Sequence, residues 1–100
     1  MRLAEYLRPT LEVLRRAFPS GVPDSDYLAL LVVLQDHLSE ENLAAVVAEL
    51  VDGETVVVAN DAAAACSNRR PERRDVERVR ALLASCGLIP EEPEPNREDL

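Results

Sequence analysis

Apolar residues recur at helical spacing near the start of the chain: Leu3, Leu7, Leu11, Leu14 and Phe18, with Val13 and Ala17 widening the stripe. The spacing predicts a helix over 3–18. Pro9 interrupts it. Proline is well tolerated only near a helix start, so a loosely held first turn is expected, with the true helix opening at Arg8–Pro9. Pro19 ends that helix, and Gly21 and Pro23 fix a compact connection. Asp24 or Ser25 stands where a cap is needed for a second helix, about 25–38, and the acids at 24 and 26 favour its positive end. Leu28 to Leu34 are seven consecutive apolar residues. No other segment is so apolar on every side, so this helix is expected at the centre of the fold.

Ser39 is a good cap for a third helix, with Glu40 and Glu41 in its first turn. Leu38 and Leu43 have the spacing of a hydrophobic staple. Leu43, Val46, Val47 and Leu50 form its inner stripe, and Gly53 is expected to terminate it. The next stretch, ETVVVAN over 54–60, holds three consecutive Val. They suggest extended chain, but no partner strand is visible, so a buried linker is expected. Asn60 then caps a short Ala-rich turn over 61–66, whose small residues let another helix approach. After a polar turn, Pro71 starts a last helix over 71–86, with Val76, Val79, Leu82, Leu83 and Cys86 inward. Gly87 closes it, and Leu88 and Ile89 fold back over its end. The fold class is therefore all-α: one bundle domain of four to five helices over 1–89. The Pro- and acid-rich segment 90–100 is expected to be a disordered tail.

Composition sharpens this picture. One hundred residues suit one small domain, able to bury about 60–70% of its unfolded surface. Aromatic residues are few (Tyr6, Phe18 and Tyr27, with no Trp), so the core must be aliphatic. Lys is absent, Ile89 is the sole Ile, and Arg is plentiful, which reads as the codon mark of a GC-rich bacterial genome. No signal-peptide pattern opens the chain and no apolar run approaches a membrane span, so a cytoplasmic protein with reduced cysteines is expected. Net charge is −8 at pH 7. That average field repels duplex nucleic acid and anionic membrane. The charge is segregated, however: residues 24–54 carry eight acids and no Arg, while 69–80 hold six Arg against three acids.

No stretch carries a catalytic or metal-binding pattern. His37 is the sole histidine and has no spaced partner. Asp24 and Asp26 are explained as capping and dipole residues. The glycines form no phosphate loop, and no serine has a nucleophile-elbow context. Cys66 and Cys86 lack a CxxC arrangement and are expected to pack as small hydrophobes; Arg69 and Arg70 beside Cys66 leave a redox role open. No cofactor is implied. The most suggestive surface is Arg69, Arg70, Arg73, Arg74, Arg78 and Arg80. Arginine at a helix amino end opposes the dipole, so these residues should answer something negative. The 24–54 segment or the tail would serve, within the chain or in a second copy. Either the cluster is a solvated face with internal ion pairs, or it is a partner-binding surface. Against nucleic acid stand the interleaved acids, the missing aromatics and the overall negative charge.

The entry FPSGVPDSDYLALLVVL, followed by LSEENLAAVVAEL and DVERVRALLASCG, resembles the actinobacterial family of unknown function numbered 3349. Phe18, Pro19, Gly21, Val22, Pro23, Asp26 and Tyr27 match its entry motif position by position. The likeness covers about 3–90. It is looser across 54–72, where the family has a longer, better-defined fourth helix, and the acidic tail is extra. It implies a small all-α bundle of four or five helices and no activity. The function expected is that of a non-enzymatic module binding another protein or itself, as a homodimer. The alternatives are a nucleic-acid-associated regulator using the Arg-rich helix, and a ligand binder or enzyme with a pocket beside Tyr27 or His37.

Overall fold

Pro9 decides where the first helix can begin. In the computed structural model, which describes residues 3–88, a single 3-10 turn, Glu5–Leu7, precedes α1, Arg8–Ala17. Pro9 falls within the first two helical positions, where its missing N–H costs nothing. Leu7, Leu11, Leu14 and Phe18 are buried. The residue before a proline avoids helical backbone, so the helix stops at Ala17 and Phe18 takes φ −128°, ψ 68°. Gly21 then turns the chain at φ +97°, donating its N–H to the Phe18 carbonyl at 3.0 Å.

α2, Asp24–Leu34, opens differently from expectation. Pro23 occupies the cap position in extended backbone, and no side chain caps the helix. Asp24 and Ser25 already lie inside it, so they act through the dipole alone. From Asp26 to Leu34 every residue is buried or half-buried. The helix also ends earlier than 38. The Gln35 N–H shares the carbonyls of Leu31, Val32 and Val33, and the chain tightens into a turn through His37. Ser39 must be reached in extended form to cap α3, Glu40–Val51, and its Oγ accepts the Asn42 N–H at 3.2 Å.

α3 does not end on Gly53. Asp52 takes the left-handed conformation at φ 58°, and the Gly53 N–H reaches back to the Ala48 carbonyl at 2.9 Å. The glycine stands one residue beyond the position that needs it. α5, Arg73–Ser85, meets that requirement: Gly87 sits at φ +108°, and the Leu88 N–H reaches the Leu83 carbonyl at 2.9 Å. α5 starts two residues after Pro71, with Glu72 at its cap position.

The largest correction concerns 54–60. These residues are neither linker nor strand but enter α4, Thr55–Ala65. Asn60 is in its middle and caps nothing. Valine favours strands, yet with no strand to pair with, packing decides. Val58, Ala62 and Ala65 fall at helical spacing and are buried. The fourth helix implied by the family resemblance is present, and its alanines do admit close neighbours, α2 and α3.

Close helix contacts form a cycle: α1 on α3, α3 on α4, α4 on α2, α2 on α5, and α5 on α1. The most extensive is α2 on α5. One core runs through all five helices, with Leu14, Leu30, Leu31, Leu34, Leu43 and Leu83 essentially inaccessible. The five helices form the all-α bundle expected, and α2 is the one with least surface. Residues 90–100, expected to be a disordered tail, and Ile89 lie outside the described residues.

Replacing Asp52 with glycine should stabilise the chain by about 0.5–1 kcal/mol, because a side chain in left-handed backbone is strained and a carboxylate there opposes the helix dipole. Thermal unfolding of Asp52→Gly checks this; a lower melting temperature would mean that the Asp52 side chain does something else.

Candidate functional site

The turn after α4 and the face of α5 carry the six arginines, and the fold separates them into two groups. Arg78 Nη2 donates to Asp26 Oδ1 at 2.8 Å and to Asp75 Oδ1 at 2.9 Å. Arg80 Nη1 donates to Asp36 Oδ2 at 3.2 Å. Together they fasten α5 to the start of α2 and to the turn at its end. Arg69 Nη1 lies 3.5 Å from Asp61 Oδ1, and Arg74 Nε 3.0 Å from Glu72 Oε1. Among the described residues, Arg70 and Arg73 have no ion pair. Two of the four paired arginines thus answer the acidic 24–54 segment of their own chain.

The pairs differ in weight. Arg74 and Glu72 both stand in solvent, where such a pair contributes little. Asp26 is the one buried charged residue described, 6% exposed. A buried carboxylate without a partner is costly, so Arg78 is required there. The Asp26 carboxylate, then Asp75, accept hydrogen bonds that hold the Arg78 guanidinium above even its usual range. Capping and dipole alone do not account for Asp26: it is a core ion-pair residue as well.

Tyr27, the next residue, ties α2 to α4. Its hydroxyl donates to Asp61 Oδ2 at 2.8 Å. Burial first, then that hydrogen bond and the Asp61 charge, push its ionisation well above the usual range. Gln35 Nε2 donates to the Ala62 carbonyl at 3.1 Å, and its Oε1 accepts from Cys66 Sγ at 3.3 Å. Of the entry motif, Phe18 is buried, Val22 packs partly buried on the core, Pro19 and Gly21 shape the turn, and Pro23 holds the cap position. Each has a structural role.

Arg70 and Arg73 border an open cleft of about 520 Å³ lined by Val32, Ala65, Cys66, Pro71 and Val76. Cys66 is exposed and Cys86 half-buried, and both are free thiols. The expectation that Cys66 packs as a hydrophobe fails because α4 ends at Ala65 and turns it outward. His37 is half-buried in its turn. Among the described residues no three His, Cys, Asp or Glu side chains gather to hold a metal, and no helix is long and apolar enough to cross a membrane.

A second surface was not anticipated. Among the described residues, the exposed large apolar side chains are Tyr6, Val51, Val56 and Val57, and two of them are on α4. Val56 is 60% exposed and Val57 52%. By the helical period, Val56, Val57, Ala59, Asn60 and Ala63 share the side of α4 opposite Val58, Ala62 and Ala65. That side carries no charge; the lone acid of the helix, Asp61, turns toward Tyr27. Hollows flank it, one of about 550 Å³ bordered by Tyr6, Ala45, Val56 and Ala59, the other of about 250 Å³ bordered by Val22, Val51 and Val57. A helix apolar all round is ordinarily covered all round. The signal was present in the sequence, but only for a reader who takes 55–65 as a helix.

A family model matches the chain over residues 5–91, and its description is a protein of unknown function (DUF3349). Searches of curated proteins and of solved structures return no match.

Arg78→Ala should lower stability more than Arg74→Ala, and adding Asp26→Asn to Arg78→Ala should recover part of the loss by removing the stranded charge. Urea unfolding of the three variants reads this directly. Tyr27 gives a pH signature. Its folded-state ionisation is raised, so its contribution is whole below about pH 10, where the phenol is neutral in both states. It is lost as pH climbs beyond that, because the unfolded chain sheds the proton first. Tyr27→Phe should cost about 1 kcal/mol at neutral pH and flatten the alkaline decline; an unchanged decline would assign it to other groups.

Proposed function

Since this chain belongs to the DUF3349 family, whose description carries no activity, we propose from its geometry that it is a non-enzymatic protein-interaction module that docks a polypeptide on the outward side of α4. The observation carrying this reading is the uncharged, valine-bearing face of a helix otherwise built into the core. Contiguous exposed apolar surface of this kind marks interaction sites. The flanking hollows give side chains of a partner somewhere to seat. A cytoplasmic setting fits the two free thiols.

The arginines support a protein partner over nucleic acid. With Arg78 and Arg80 fastened to Asp26 and Asp36, and with the whole chain at −8, there is little net positive field for a phosphate backbone to follow. The same engagement makes the arginine cluster mainly a fastening of α5, with Arg70 and Arg73 at the edge of its cleft as a secondary contact.

A photo-crosslinking side chain at position 56, 57 or 63 of the full chain, activated in the source cells, should give polypeptide adducts. The same group at Glu12 or Arg15, exposed on α1, should give none. Adducts from α1 alone, or from neither helix, would overturn the reading.

A further inference from the structure

We infer that the polypeptide received by α4 is a second copy of this chain, with the two α4 helices packed antiparallel across a two-fold axis near Asn60. This rests on the reading of α4 as a docking face and identifies its occupant.

A face that binds its own copy must be complementary to itself under a two-fold rotation. The surroundings of α4 meet that condition along its length. Asp52 and Glu54 stand just before its amino end, both exposed. Arg69 and Arg70 stand just past its carboxyl end, also exposed. The Arg69 side chain keeps 56% of its surface in solvent despite Asp61, and Arg70 has no ion pair among the described residues. Antiparallel packing puts the acidic end of each helix beside the basic end of the other. It also opposes the two helix dipoles favourably. Parallel packing would bring acid to acid and arginine to arginine. The charges therefore select one orientation.

Between those ends the face is neutral. Ala59 and Ala63, four residues apart, allow two backbones to approach, while Val56 and Val57 supply apolar area beside them. Asn60 is the middle residue of the eleven in α4, and it is exposed on this face. A residue at a two-fold axis meets its own twin. The carboxamide is suited to that position because it donates and accepts, so two copies can satisfy each other. A carboxylate there would meet a carboxylate. The chain's charge of −8 opposes approach at long range, so the dimer should be of moderate affinity and should dissociate on dilution.

The test uses the purified full chain in sedimentation velocity over micromolar to millimolar concentrations, at physiological salt. The wild type should move from monomer to dimer. Asn60→Asp, a nearly isosteric change at an exposed position, should weaken the dimer at least tenfold while leaving helix content unchanged by circular dichroism. Val56→Glu should do the same from a second position. A wild type monomeric throughout, or a dimer indifferent to both substitutions, would overturn the inference. The docking reading fails separately. Adducts at position 56 with a different polypeptide, beside a monomeric wild type, would refute self-association and keep the docking face. Absence of any adduct would remove both.

Discussion

α2 has almost no surface to give to water, and the other helices are arranged by that constraint. Its apolar run carries no polar side, so α4 and α5 must lie directly on it. Polar groups carried inward with it then need partners from whatever covers them. Asp26 is matched by Arg78 from α5. Tyr27 and Gln35 are matched by Asp61 and the Ala62 backbone of α4. Apolar burial supplies the driving force without direction; these few directional bonds set where along α2 each neighbour rests.

Much of this was legible in the chain. Pro9, Pro19 and Ser39 act locally, on the backbone of their own neighbourhood, and their effects stand where the sequence reading put them. The Leu and Val stripes of α1, α3 and α5 are regular enough to identify a buried face without knowing the neighbour. What escaped depends on tertiary context. Val56 to Val58 prefer strand in isolation and are helical because Val58 and Ala62, one turn apart, join the core where α4 packs on α2 and α3. Asp52 rather than Gly53 turns left-handed because the end of α3 is fixed by its packing, one residue before the glycine arrives. Asp26 looked sufficient as a helix-start acid, since nothing local reveals Arg78, fifty-two positions away.

The two surfaces of interest show the same division. Six arginines in twelve residues draw attention as a cluster, but each guanidinium is a long arm whose partner is chosen by the fold. The structure brings four of them to carboxylates of the same chain. The outward side of α4 draws no attention in the sequence, being made of Val, Ala and Asn. Its interest lies in what it lacks, a charged side chain facing solvent.

The cycle of helix contacts also bears on how the chain acquires its structure. Of the extensive helix pairs, only α3 with α4 joins successive helices; the others unite segments separated by at least one intervening helix. A short α3–α4 hairpin can form early at little loop-closure cost, whereas α2 gains its cover only when α5, the last helix, arrives. Arg16 of α1 closes the cycle by donating to the Cys86 carbonyl at the end of α5 at 3.1 Å. No set of helices lacking α5 covers α2 fully, so intermediates without α5 expose its leucines. Such a topology ties the whole domain into one cooperative unit, and during synthesis it leaves the leucines of α2 partly uncovered until α5 has left the ribosome.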